Sequence, residues 1–417
     1  MSFPRYPKYK ASGVEWLGEV PVGWEVARLK NVIAQKITDG PHTTPTFCSD
    51  GVPFLSVDGI QDGELQFDGC RFISHEDHVE FRRKALPRKG DLLMGKAAST
   101  GKLARVKVDF EFSIWSPLAL IRLTTSNANP AFFEQWLKSP IAQAQIDNLC
   151  TSNTQKNISM DDIPRLIVTI PPLPEQTAIA EFLDRETAKI DGLVAEQRRL
   201  MELLKEKITS LVLSSVDLPN TKRLRFGKAA SLMSRPVLQQ QEESYTRIGL
   251  FNRGRGLFHK DASEMDDMGE SDFFWIEKGD LIISGQFAWE GAVAMAGKDE
   301  TGCVVSHRYP VIRGIPGIAL TEYLFGLLCT NHGDFLLNEH SRGAAGRNRP
   351  LNIRSLMKET IPVPSMQIQE TIARAIHSRT VLFQEISNAV DLLQEHRTSL
   401  ISAAVTGQID VRQQTRN

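Results

Sequence analysis

Shifting the sequence along itself by 193 residues brings Pro171, Gln176, Ile179, Ala180, Thr187, Leu200, Glu202, Ile208 and Val212 onto identical residues. Their partners are Pro364, Gln369, Ile372, Ala373, Thr380, Leu393, Glu395, Ile401 and Val405. A second echo, offset by 189, sets Lys89-Gly90-Asp91-Leu92-Leu93 against Lys278-Gly279-Asp280-Leu281-Ile282. Solenoids repeat every ~20–50 residues, so a period this long indicates two domain copies. Each copy has the same order: a mixed segment of about 140 residues, a proline-rich turn, then a long helical stretch.

The post-proline stretches read as amphipathic helices. In the first, Leu183, Ile190, Val194, Met201, Leu204, Ile208 and Leu211 recur at three- and four-residue steps, interrupted by Thr187 and Gln197. In the second, Ile372, Ile376, Phe383, Ile386, Val390, Leu393 and Leu400 do likewise, with Arg379 and Arg397 as polar breaks. Neither run holds an internal proline, and only Gly192 intrudes. Such heptad-like stripes belong to helices that pack along their length. At 1.5 Å per residue, about 37 residues make a rod of roughly 55 Å. Ile170-Pro171-Pro172-Leu173-Pro174 and Ile361-Pro362-Val363-Pro364 force extended backbone and withhold amide donors, so each separates a strand-like run from its rod. Thr406-Gly407 supplies a glycine stop.

The mixed segments read as small α/β domains. Strand character marks 52–57, 91–94, 118–123, 166–170 and 360–361; helical character marks 130–138 and 320–328. The expected division is 1–168 for the first domain with its N-terminal flank, 169–213 for the first turn and rod, and 214–235 for a linker. It continues with 236–361 for the second domain, 362–407 for the second turn and rod, and 408–417 for a tail.

Composition narrows the functional classes. No apolar run approaches the roughly 20 residues that span a bilayer, and the first eight residues show no apolar signal region, so a cytoplasmic location is expected. Five scattered cysteines without a Cys-x-x-Cys pair argue against a disulfide framework or a zinc site. A net charge of −1 does not point to nucleic acid, but basic residues cluster at Arg82-Arg83-Lys84, Lys222-Arg223-Leu224-Arg225 and 342–349.

Catalytic signals are weak. Gly95-Lys96-Ala97-Ala98-Ser99-Thr100-Gly101-Lys102-Leu103 has one residue too many for a P-loop, with Leu103 where Ser or Thr should stand. No Asn-Pro-Pro-aromatic or Asp-Pro-Pro-aromatic tetrapeptide is present, and no Gly-x-Gly-x-x-Gly follows a strand. His75 and His78 lack a nearby third ligand. Asp161-Asp162 and Asp266-Asp267 read as caps or turns. No catalytic constellation emerges.

Several segments, taken in order, resemble a known family. They are Trp16-Leu17-Gly18-Glu19-Val20-Pro21-Val22-Gly23-Trp24, Thr38-Asp39-Gly40-Pro41-His42-Thr43-Thr44-Pro45, Pro171-Pro172-Leu173-Pro174-Glu175-Gln176-Thr177-Ala178-Ile179-Ala180, and residues 399–409. The chain resembles the specificity subunits of type I restriction–modification systems across nearly its whole length. The resemblance implies α/β (α+β) target-recognition domains, two copies in pseudo-twofold arrangement, separated by two long antiparallel coiled-coil helices. The rods would pack through Leu183, Ile190, Val194, Met201, Leu204, Ile208, Ile376, Phe383, Val390 and Leu393. It further implies recognition of two different half-sites in double-stranded DNA, docking of two modification subunits, and recruitment of restriction subunits that translocate and cut. S-adenosylmethionine, ATP and magnesium would sit on those partners, with no cofactor and no metal in this chain. The second copy departs from the pattern, with Ser365-Met366-Gln367-Ile368-Gln369-Glu370 where the first has Leu-Pro-Glu-Gln.

Base readout needs Arg, Lys, Asn or Gln at base edges, and phosphate contact needs cations or small donors. In the first domain the candidates are Thr38, Asp39, Gly40 and His42 in one loop, Asn153, Gln155 and Lys156 in another, and Lys96 and Lys102. In the second they are Arg253 and Arg255 on a glycine-rich loop, His307 and Arg308, and Arg342, Arg347, Asn348 and Arg349. The segment 342–349 corresponds to 149–156 of the first copy. Trp289-Glu290-Gly291 also resembles a family segment, although Trp289 equally suits a core. Two readings compete with DNA recognition: a self-contained DNA methyltransferase or nuclease, and a helical protein–protein scaffold.

Overall fold

Both post-proline stretches are single helices, Leu173–Val216 of 44 residues and Met366–Val405 of 40. In this computed structural model the described residues are 3–97, 99–151, 156–238, 244–264, 271–343 and 349–412. The chain divides into two units, Met1–Ala195 with Val390–Asn417, and Glu196–Ala389. Each unit takes part of both long helices. In the first unit Arg397 donates to Asp191 at 2.9 Å; in the second the Lys205 ammonium lies 5.9 Å from the Phe383 ring centre. Residue numbers rise on one helix as they fall on the other, so the helices run antiparallel.

The expected stripe forms the packed face. Leu183, Ile190, Val194, Ile208 and Ile376 are buried, and Met201, Leu204, Phe383, Val390 and Leu393 are half-buried. The polar breaks are accommodated locally. Thr187 returns its hydroxyl to the Leu183 carbonyl and Thr380 to that of Ile376. Arg379 lies over Phe325 and Phe383. The first helix begins one residue before Pro174, because proline lacks only an amide that the first turn leaves unpaired. At the far end of the second, Gly407 takes φ +75°, the left-handed stop expected of glycine.

The mixed segments share one main sheet and one helix pair. In the first unit an antiparallel sheet orders Leu103–Arg105, Leu92–Gly95, Leu118–Ile121 and Thr38–Asp39. In the second, Val293–Met295, Leu281–Ile283, Val311–Gly314 and Ala230–Met233 follow the same order. A helix pair follows each sheet: Pro130–Lys138 and Pro140–Leu149, then Thr321–Leu328 and Asn331–Glu339. Phe132, Phe133 and Trp136 fill the first core, and Tyr323, Leu324 and Leu327 the second.

Physical causes can be assigned to the residues that echo between copies. Gly90 and Gly279, at φ +91° and +87°, make the turn into the second strand of each sheet. The following aspartate is buried and closes that turn. Asp91 accepts the Arg88 amide and both Nε and Nη2 of Arg122. Asp280 accepts the Glu277 amide, Arg235 at 2.8 Å and Arg313 at 2.6 Å. The repeated glutamine is a buried staple. Gln176 accepts the Asn129 amide and donates to the Asn127 and Pro171 carbonyls. Gln369 accepts the Leu320 amide and donates to the Ile318 and Pro364 carbonyls. Each glutamine thus fastens the start of its long helix to the loop before the helix pair of its domain.

The departure at Ile368 also has a cause. Its counterpart Glu175 accepts Trp24 Nε1 at 2.9 Å and the Tyr6 hydroxyl. Residue 221, which corresponds to Trp24, is Thr221, and Ile368 packs on the second core.

Two expected boundaries need correction. The segment 214–235, read as a linker, is part of the second domain. The first long helix runs on to Val216, Lys222–Arg225 pairs with Thr360–Val363, and Ala230–Met233 joins the main sheet. Its mixture of Pro, Asn, Lys and Arg concealed two short strands. Lys222–Arg225 is the counterpart of Glu25–Arg28, which pairs with Ile167–Ile170. The tail expected at 408–417 is integrated as far as it is described: Val411 is buried and the Asp410 amide donates to the Pro4 carbonyl.

Candidate nucleic-acid interface

Three of the first domain's candidate segments converge. Asp39 is fully buried at the end of a strand, with Lys84 Nζ at 2.5 Å, Lys96 Nζ at 2.9 Å and His42 Nε2 at 3.3 Å. Burial alone would raise this carboxyl, but hydrogen bonds and charge from Lys84 and Lys96 outweigh it and hold Asp39 below its usual range. Lys84 also donates to the Gly40 carbonyl. Gly40 has no room for a side chain, since a Cβ would collide with the Ile114 carbonyl. Thr38 and Asp39 therefore fix the loop, while His42 projects into solvent.

Lys96 and Lys102 bracket the turn joining Leu92–Gly95 to Leu103–Arg105. A strand, not a helix, follows Lys102, which removes the P-loop resemblance at its root. The turn is tied to the segment before the last strand: the Ile158 amide donates to the Lys96 carbonyl, and Thr100 Oγ1 donates to the Lys156 carbonyl at 2.6 Å. Lys102 and Lys156 are exposed, and the Lys156 ammonium pairs with Asp147 at 2.7 Å. Asn153 and Gln155 lie outside the described residues.

The second domain repeats the device with other side chains. The Leu351 amide donates to the Gly285 carbonyl as Ile158 does to Lys96, and Gly285 donates to the Arg308 carbonyl as Lys96 does to Pro117. The chain segments carrying Arg308, Arg342 and Arg349 are thereby joined. His307 and Arg308 are exposed, and Arg342 pairs with Glu339. Arg347 and Asn348 lie outside the described residues.

Arg253 and Arg255 sit at the tip of a hairpin formed by Ile248–Leu250 and Leu257–His259. Arg253 adopts φ +59°, an uncommon value for a side-chain-bearing residue. Hydrogen bonds from Arg253 and Gly254 to the Glu290 and Gly291 carbonyls hold this strained tip. Arg255 lies over the Phe251 ring. The tip opens onto a groove of about 1310 Å³ that includes Trp289, Asp334, Phe335 and Asn338. Phe335 is 65% exposed, and burial raises the Asp334 carboxyl although Arg253 opposes the shift.

Sequence reasoning missed Lys84, Phe335 and Asn338 as neighbours of these loops. Lys84 stood in a flagged basic cluster, but nothing in the sequence placed it beside Asp39. Trp289 is neither core nor fully exposed: half-buried, it packs against Arg349 across a loop junction. Among the described residues no helix is long and apolar enough to cross a membrane.

A duplicated sheet-and-helix domain, each copy followed by a long helix, thus presents two sets of cross-tied polar loops. The family model described as type I restriction modification DNA specificity domain matches residues 21–199 and 235–390. The chain belongs to that family. It is 20% identical over 432 aligned positions to the type I restriction enzyme StySPI specificity subunit of Salmonella potsdam, covering 96% of this chain and 92% of that one. It is 25% identical over 176 residues to the EcoBI specificity subunit of Escherichia coli, covering 42% of this chain and only 37% of that relative. Among solved structures, one titled "Structural basis underlying complex assembly and conformational transition of the type I R-M system" aligns with TM-score 0.57 and 16% identity, covering 93% of this chain and 98% of that one. The type I restriction–modification S subunit from M. genitalium aligns with TM-score 0.50 and 14% identity over 92% and 96% of the two chains. At these identities the structural likeness concerns the fold.

Proposed function

We propose that this chain is the non-catalytic, sequence-reading subunit of a type I restriction–modification enzyme, acting on double-stranded DNA in the cytoplasm. Each head contacts one half of a bipartite target, and the paired long helices set the spacing between the halves. Two modification subunits dock on the chain and restriction subunits join them; those partners carry S-adenosylmethionine, ATP and magnesium. The observation that carries this reading is the shared loop device. Both heads tie a turn to a polar segment through matching main-chain hydrogen bonds, yet fill the loops with different side chains. A common scaffold with divergent surface chemistry suits two readers of unlike sequences. Long amphipathic helices also offer grooves to partner helices.

The test alters the spacer alone. Insertions or deletions within 183–211 change the permitted distance between half-sites and leave both half-site sequences as they were. Methylated motifs mapped in cells carrying the chain with its partner subunits provide the measurement. Altered half-site sequences at unchanged spacing would refute the spacer role.

A further inference from the structure

The cross-tied loops meet at one junction, occupied differently in the two heads. In the first head the pair is Thr100 and Lys156. The Thr100 hydroxyl holds the Lys156 carbonyl, and the Lys156 ammonium is engaged by Asp147. In the second head the matching turn, one residue longer, carries Trp289, and Arg349 stands 193 positions after Lys156. Here the guanidinium carbon lies 5.3 Å from the indole ring centre, and Nη1 donates to Asn338 Oδ1 at 3.4 Å.

We propose that Arg349, placed over the Trp289 ring, reads a guanine in the half-site of the second head. The inference rests on the DNA-reading function above and adds a base and a residue pair. An arginine held against an aromatic face and by a neighbouring amide loses side-chain freedom before its donor fork meets a base. That fork matches guanine O6 and N7, the commonest specific contact in the major groove. The platform is itself fixed. Trp289 lies in the short helical turn Ala288–Glu290, its Nε1 donates to the Gln286 carbonyl, and Gly291 ends the turn at φ +68°. Among the described residues no carboxylate pairs with Arg349, whereas Arg235, Arg313 and Arg342 are each paired. Trp289 is a positioning residue, and Lys156, committed to Asp147, gives the first head a different chemistry at the same place.

The experiment uses the full chain assembled with its modification subunits and selects methylated sites from a randomised duplex library. Arg349→Ala and Arg349→Lys each lower discrimination at a single guanine of one half-site by about 10-fold or more, with every other position retained. Arg349→Lys keeps the charge and the fold, so the lost fork is what it reports. Trp289→Ala relaxes the same guanine and Trp289→Tyr restores it, an outcome that general loosening of the domain would not give. Lys156→Ala leaves that guanine specified. Arg349→Lys retaining every position, or relaxing a base other than guanine, overturns the assignment. A wild-type complex that selects no bipartite motif overturns the DNA-reading function beneath it, and this inference with it.

Discussion

The first head secures its candidate reading loops with carboxylates and lysines, whereas the second uses arginines and aromatic rings. Asp39 gathers Lys84 and Lys96 beneath one loop, and Asp147 engages Lys156 beside another. In the second head Arg255 lies on Phe251 and Arg349 on Trp289. Lysine is a compact point charge, while arginine offers a planar fork that stacks and binds in two places at once. The contrast indicates that the scaffold tolerates either chemistry, provided the buried polar groups remain satisfied.

The largest effect expected from this comparison concerns the turn aspartates. Asp280→Ala removes the buried carboxylate that two guanidiniums share, leaving them only the exposed Glu277, and should cost about 3 kcal/mol in the stability of the second unit. Asp91→Ala strands only Arg122 and should cost the first unit less. Denaturant unfolding of the two variants checks the order, and equal losses would erase the distinction. Next come the glutamine staples, which should not distinguish the heads. Gln176→Leu and Gln369→Leu each orphan one amide and two carbonyls, so similar losses of about 2 kcal/mol are expected. A marked inequality in their unfolding midpoints would break the claimed equivalence.

The smallest effect is specific to the first head and depends on pH. Asp39 titrates below its unfolded value of about 3.9 because its lysines more than offset burial. Its stabilisation is therefore fully present above about pH 4 and is lost as pH falls through the lowered folded value. The stability difference between wild type and Asp39→Asn should shrink on acidification from pH 7 to pH 3. A difference independent of pH would remove the ion pairs from the account. Solvent around His42 and Lys84 screens the interaction and keeps it modest.

Much of the architecture was legible because it rests on local rules. Proline turns marked the starts of both rods, the apolar stripe identified their packed faces, and the Lys-Gly-Asp echo marked a glycine turn closed by a buried carboxylate. The helix expected over 130–138 coincides with Pro130–Lys138. What escaped depends on distant partners. The strand Lys222–Arg225 is a basic run whose identity as a strand comes from pairing with Thr360–Val363. Asp39 read as a possible contact residue because sequence separation hid the two lysines that enclose it. The same limit applied to Trp289: its three-residue motif was visible, but Arg349 lies far along the chain and meets it only in the folded domain.

The bonds from Ile158 to Lys96 and from Leu351 to Gly285 join main-chain atoms alone. Beyond Gly285, where a Cβ would collide with the Arg308 carbonyl, and Thr100, whose hydroxyl adds a bond to Lys156, these bonds call for no particular side chain, so the rest of the loop sequence is free to drift or be exchanged while the framework stays folded. Such a molecule can acquire a new recognition preference by recombination within short surface stretches, without first losing stability.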